Sequence, residues 1–237
     1  MTPITILGLF FVSGFATLLG SVPVFFHHYM KEERRCFWES FGGGVMMSAS
    51  LFSLFLPAWR LSGSIAPLLK GLVAGILFIT ISAQIIRRMT KNIKRQRAFL
   101  FVFVMGLHNI PEGLSMGFDV AALGWEKALP LSIAIFIQNL PEGFVSSLSF
   151  LLAGFSLSSA LLANAVTAVI ETASSYAGFI FASSTTLALP LLLSFAGASM
   201  MSVVGWEFGE RRRHGEKIST LGFTIGLTFC AFLDLFL

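Results

Sequence analysis

Apolar residues run along this chain in stretches of about 20, broken by brief polar connections. That is the length a helix needs to cross the hydrocarbon core of a bilayer. Eight stretches are read, at about 4–26, 37–58, 64–86, 98–121, 127–152, 158–181, 187–208 and 218–236. The runs are long rather than amphipathic in the manner of a globular protein. The link Ala153-Gly154-Phe155-Ser156 is short enough to make the fifth and sixth spans antiparallel neighbours. The first stretch has no basic leader and no clear cleavage site, and is read as a span rather than a signal peptide. The pattern predicts an all-α integral membrane protein of eight transmembrane helices, one polytopic unit over 1–237, in contact with membrane lipid.

Two short segments disturb this pattern. His108-Asn109-Ile110-Pro111-Glu112-Gly113 and Gln138-Asn139-Leu140-Pro141-Glu142-Gly143 repeat one motif 30 residues apart, each near the middle of its span. A carboxylate there opposes insertion by about 2.5 kcal/mol or more even on lenient scales. His108 and Glu112 are i,i+4, as are Gln138 and Glu142, so each pair shares a helix face. Pro111 and Pro141 cannot donate a backbone hydrogen bond and release the carbonyls of Leu107 and Ile137. Paired interrupted helices at matching depth point to a transporter binding site. Gly113 and Gly143 should admit a neighbouring helix closely.

Composition strengthens the membrane reading. The 237 residues are 55% hydrophobic and only 12% charged, about half the charged fraction of a soluble domain; mean hydropathy is +0.83. The 16 Lys and Arg residues fall almost wholly in three connections, at residues 31–35, 87–97 and 211–217, with only Arg60, Lys70 and Lys127 on the other side. This asymmetry puts the basic connections in the cytoplasm and both termini outside. The run from Arg87 to Arg97 has the charge of a nucleic-acid patch or an anionic-lipid contact, but it lacks interleaved aromatics and is read as a positive-inside loop; no nucleic-acid partner is expected.

Imidazole, carboxylate and carboxamide together suit zinc, iron, manganese or nickel better than calcium, and the lack of thiolate spacing argues against copper(I). Cys36 and Cys230 are read as small apolar fillers. Glu171, about 13 residues into the sixth span, is a third acid at the same depth, and Met46 in the second span offers a thioether. Glu39, Glu207 and Glu210 lie at cytoplasmic span ends and read as hydrated groups that could line an exit, His27, His28 and His214 read as interfacial histidines, and Asp119 and Glu126 flank the outer loop, where they could attract cations. Asp234 reads as a solvated or hydrogen-bonded terminus.

The tandem HNIPEG and QNLPEG segments, the second-span Gly44-Val45-Met46-Met47 with Phe52-Ser53-Leu54 and Leu56-Pro57-Ala58, and Glu171 together resemble the ZIP metal transporters, closest to the bacterial GufA-type branch. The resemblance covers essentially the whole chain. It implies a binuclear site: Met46, His108, Glu112, Gln138 and Glu142 for one ion, and Asn109, Glu112, Asn139, Glu142 and Glu171 for a second. It also implies two helix bundles related by an inverted repeat, alternating access or bundle sliding, commonly a homodimer, and a place in a bacterial inner membrane. The transported substrate would be Zn2+, with iron, manganese and cadmium as further candidates, and no organic cofactor is expected. Asn139 stands where some relatives carry aspartate, Thr172 where a proline often follows the glutamate, and Arg60 near an entrance where an acid is common.

Two readings from other classes use the same residues. One is an intramembrane metalloenzyme with Glu112 or Glu142 as general base on a metal-bound water. The HNIPE segment supplies one histidine, with its glutamate four residues on rather than adjacent, which matches a zinc hydrolase poorly. The other is a metal sensor, for which the chain offers no signalling domain.

Overall fold

In hydrocarbon, a spanning segment must satisfy its backbone N–H and C=O groups internally, and a helix does so within one segment. Each of the eight apolar stretches is accordingly helical in the computed structural model, which describes residues 3–29, 31–212 and 217–236, without the side chains at 3–4, 27–29, 97, 101, 183–187, 206–212, 217 and 235–236. The expectations for the side chains of His27, His28, Glu207, Glu210 and His214 fall outside that description. The order is α1 (Pro3–Gly20), a 3-10 turn (Val22–Tyr29), α2 (Glu32–Ala49), a π-helical stretch (Ser50–Phe55), α3 (Leu56–Ser62), α4 (Ile65–Met89), α5 (Ile93–Leu123), α6 (Trp125–Leu152), α7 (Leu157–Ile180), α8 (Ala182–Arg212) and α9 (Lys217–Phe236). Among the described residues no strand occurs. α2, the π stretch and α3 form one continuous second span, Glu32–Ser62. Most helices outrun their apolar stretches, because polar ends continue the hydrogen-bond ladder.

The irregularity is not where the prolines of the repeated motif placed it. α5 runs unbroken through Pro111 and α6 through Pro130 and Pro141. One missing hydrogen bond does not interrupt a helix packed against neighbours on both sides of the proline. The departure from α geometry lies instead at Ser50–Phe55, immediately before Pro57. There the Leu56 N–H reaches the Leu51 carbonyl, five residues back, and the Ser50 hydroxyl donates to the Met46 carbonyl at 2.8 Å. A π turn of this kind absorbs the donor that Pro57 lacks.

Helix contacts sort the chain into two groups. α1, α5, α6 and α7 pack on one another; α2, α4, α8 and α9 form a second set. α5 against α8 and α2 against α6 join the sets. In the first group α5 and α6 are separated by Gly124 alone, whose φ of 82° makes the reversal in one residue; L side chains resist that conformation. This link and the 153–156 turn hold α5, α6 and α7 as successive antiparallel neighbours.

Close approach within the group depends on the two motif glycines. A Cβ at Gly113 would stand 2.5 Å from the Glu171 carbonyl on α7, and one at Gly143 would overlap the Thr17 carbonyl on α1. Asn164 then braces the ends of the helices. Its Nδ2 donates to the Ser21 hydroxyl (2.7 Å), the Gly143 carbonyl (2.9 Å) and the Ser147 hydroxyl (2.9 Å), while its Oδ1 accepts from Ser146 (2.7 Å). Hydrogen bonds between membrane helices contribute about 0.6 kcal/mol each, so Asn164→Ala should destabilise the protein by about 2 kcal/mol. The check is the detergent-solubilised unfolding temperature, which should fall by several degrees; an unchanged midpoint would remove the brace.

Candidate metal site

The two motifs meet. His108 on α5 and Glu142 on α6 stand with Nε2 and Oε2 3.3 Å apart, and Glu112 Oε2 lies 3.8 Å from the same nitrogen. All three side chains are buried. The Nδ1 of His108 is 3.1 Å from the Val104 carbonyl. A carbonyl only accepts, so Nδ1 carries a hydrogen and the ring is fixed in place. Nε2 therefore faces two carboxylates, an arrangement that needs a cation, proton or metal, between them. Two ligands bound tetrahedrally to one zinc at about 2.0–2.1 Å stand about 3.3 Å apart. The His108–Glu142 pair has that separation, and Glu112 is about half an ångström wide of it. Among the described residues no three His, Cys, Asp or Glu side chains form a finished cage, so Glu112 must draw in to complete one.

The oxygen inventory is more telling. Asn109 Oδ1, Glu112 Oε1, Gln138 Oε1 and Glu142 Oε1 are buried without a hydrogen-bond partner. Each such group left unsatisfied costs about 1–3 kcal/mol, and more when charged. Among the described residues eight side-chain atoms are left so, and these four belong to the two motifs. The amide nitrogens of the same residues are engaged: Asn109 Nδ2 donates to Glu171 Oε2 at 3.3 Å, and Gln138 Nε2 donates to Asp234 Oδ1 at 2.7 Å and to the Ser53 hydroxyl at 3.0 Å. Holding the nitrogen of a carboxamide commits its oxygen to the opposite direction. Asn109 and Gln138, each in the same motif as members of the His108–Glu112–Glu142 trio, thus keep free acceptors.

Glu171 behaves differently from the other acids. Its Oε1 accepts from Ser13 (3.0 Å) and Asn139 (3.0 Å), and its Oε2 from Asn139 (2.8 Å) and Asn109 (3.3 Å). Asn139 Nδ2 also donates to the Ser13 carbonyl at 3.1 Å. The carboxylate is filled by amide and hydroxyl donors where the resemblance implied a second ion. Met46 is fully buried and belongs to an apolar cluster with Val104, Phe144 and Val145. The residues singled out from the sequence thus fall into three side-chain clusters: His108 with Glu112 and Glu142, Glu171 with Asn109 and Asn139, and Gln138 with Asp234 and Ser53; Met46 packs in an apolar core cluster.

Sequence reasoning gave no role to Ser13, Ser53 or Asn164; a serine in an apolar helix can satisfy itself on the carbonyl four residues back and carries little signal, and Asn164 lies outside the repeated motif. Asp234 is hydrogen-bonded, one of the two readings offered for it, but to site residues: it accepts from Gln138, from Ser53 at 2.7 Å and from the Cys230 thiol at 3.4 Å. The signal was present, an acid inside an apolar stretch, and was discounted because the residue lies near the end of the chain. Asp119 is half-buried within α5, whereas Glu126 is exposed.

Comparison with known proteins agrees with this picture. The ZIP Zinc transporter family profile matches residues 89–208, half of the chain and all of both motifs. The zinc transporter GufA of Myxococcus xanthus is 30% identical over 242 residues, covering 94% of this chain and 95% of that protein. The chain belongs to the ZIP family. Zinc transporter ZIPB of Bordetella bronchiseptica is likewise 30% identical, over 212 residues, 82% of this chain and 69% of its own length. As a ZIP protein the chain is an integral membrane divalent-metal transporter and not an enzyme. The metalloenzyme reading of Glu112 and Glu142 is set aside.

Proposed function

We propose that the protein moves zinc toward the cytoplasm, one ion at a time, through a site made by His108, Glu112 and Glu142 with the carboxamide oxygens of Asn109 and Gln138. The observation that carries this reading is an imidazole whose Nε2 faces two carboxylates, within a pair of motifs that hold four partnerless buried oxygens. A divalent cation satisfies all of them at once; no side-chain donor does. Zinc is favoured by the mixed nitrogen and oxygen donors and by what the relatives are named for. Iron, manganese and cadmium fit the same donors less selectively.

In this reading Glu171 and Asp234 are positioning residues. Each holds amide N–H groups so that the oxygens face the ion, the role that outer carboxylates play around many metal sites. The two-ion arrangement implied by the resemblance gives way to one ion, because Asn139 spends its donors on Glu171. Met46 remains a core residue that could lend its thioether only by turning. The charge asymmetry of the connections supports basic loops in the cytoplasm and both termini outside; inward transport across a bacterial inner membrane is part of the proposal. The chain as a homodimer is carried only by the family likeness.

Zinc uptake into proteoliposomes tests the reading. Wild type should fill the vesicles with zinc, and Glu112→Ala and Glu142→Ala should each reduce the initial rate to the level of empty vesicles. Equal flux in wild type and both variants would sink it.

A further inference from the structure

The helices that carry the site have an outer face that the metal chemistry does not use. Ile110 lies between Asn109 and Pro111, yet is 36% exposed. It stands at one end of a trough of about 500 Å³ between α5 and α7, walled by Phe103, Gly106 and Ile110 on one helix and by Leu162, Val166 and Ile170 on the other. Phe103, Leu162 and Val166 are exposed ridges, and the floor between them is almost wholly carbon. Thr167 at the floor gives its hydroxyl to the Asn164 carbonyl at 2.9 Å, and its methyl lies toward Gly106.

Gly106 is not demanded by helix packing. A Cβ there would meet only the Ile170 methyl at 3.7 Å and the Thr167 methyl at 3.9 Å, ordinary contacts. The notch is spare room, unlike the space beside Gly113 or Gly143. The trough lies inside the membrane-spanning part of both helices and opens sideways, so what fills it comes from the bilayer. A volume of about 500 Å³ suits a single acyl chain rather than another helix, which is about 10 Å across.

One end is charged. Continuing from Val102 along the same stripe of α5, at i−3 and i−7, come Phe99 and Arg95. The Arg95 guanidinium lies 5.4 Å from the centre of the Phe155 ring, and Phe155 packs on Phe99 and Phe150 with ring centres 5.2 and 5.0 Å apart. This aromatic wall holds an exposed cation at the basic end of the trough, beside exposed Lys91 and Lys94. At the other end of α5 the charged residue is Asp119. From Arg95 to Ile110 is 15 residues, about 22 Å along the helix, the reach of one headgroup and its chain.

We propose that the α5–α7 trough is a binding site for one anionic phospholipid, its phosphate at Arg95 and one acyl chain running over Gly106 to Ile110. The chain end then packs on the outer side of the turn that carries Asn109, His108 and Glu112, and supports the α5–α7 pair from the lipid side. The site is independent of which metal is carried.

The test uses the purified full-length protein in mild detergent, with phosphatidylglycerol or phosphatidylcholine added in turn and retained lipid counted by native mass spectrometry. Wild type should keep one phosphatidylglycerol about fivefold better than phosphatidylcholine, the preference that one surface cation provides. Gly106→Leu, which fills the notch, should lose both lipids. Val166→Phe, a change on an exposed ridge, should do the same and keeps the test decisive if the leucine variant does not fold. Arg95→Gln should hold the two lipids equally, while Arg88→Gln, an equal loss of charge at the end of α4, should behave as wild type. Undiminished retention in both trough-filling variants would overturn the proposal. So would an equal loss of preference in Arg88→Gln, since that describes diffuse charge rather than a site, or a second copy of the chain held at this face instead of lipid.

Discussion

Replacing His108 with alanine lowers zinc uptake in proteoliposomes by at least about 10–100-fold, the range that loss of even an outer partner of a metal ligand produces. His108 is the one nitrogen donor of the proposed site, and its tautomer is fixed by the Val104 carbonyl. Removing the ring leaves Glu112 and Glu142 without the imidazole between them, with Glu112 Oε1 and Glu142 Oε1 still partnerless. An all-oxygen set favours manganese, magnesium and calcium over zinc. His108→Asp should therefore recover uptake of manganese but not of zinc, a reversal of preference that a merely unstable variant cannot give. A competition panel of these ions, with unfolding temperatures measured alongside, separates the outcomes. Zinc flux within threefold of wild type in His108→Ala would remove the imidazole from the pathway.

Much of this architecture is legible in the sequence, for a physical reason. Hydrocarbon forces each long apolar stretch to be helical, so the eight spans are read almost directly, with ends that move by a few residues where polar side chains extend a helix. That the two motifs adjoin is legible too, because depth and antiparallel order place both at one level. What the linear pattern does not carry is the competition among partners. Pro111 and Pro141 are helix breakers in isolation, but helices packed around them run straight through, and the π turn forms before Pro57 instead. Glu171 has the depth of a ligand, yet three donors from other helices, Ser13, Asn109 and Asn139, fill its oxygens. Asp234 has the position of a loose end, yet α9 returns beside α2 and brings it to Gln138 and Ser53. Division into two groups of four helices depends on small-residue contacts between distant spans, which no local periodicity encodes.

Asn139→Asp should raise the zinc bound per chain from one ion to two. In the wild-type protein the Asn139 amide lies 2.8 and 3.0 Å from the two Glu171 oxygens and 3.1 Å from the Ser13 carbonyl, donating to all three. The substitution removes every one of those donors and sets a second carboxylate against the first. At an effective dielectric of about 20, two unit charges about 3 Å apart repel by roughly 5 kcal/mol, and buried acids in that relation must take up a cation. A proton relieves the repulsion of one pair only; a divalent ion also satisfies the Ser13 carbonyl. Without zinc the variant should unfold at a lower temperature than wild type, and added zinc should restore the difference. Metal analysis of the purified protein after desalting gives the stoichiometry. Two ions in the wild type would show that the Asn139 amide turns aside to admit metal, and one ion in the variant, with no stabilisation by zinc, would show that Glu171 belongs to the scaffold alone. The single substitution thus separates a carboxylate that orients ligands from one that is itself a ligand.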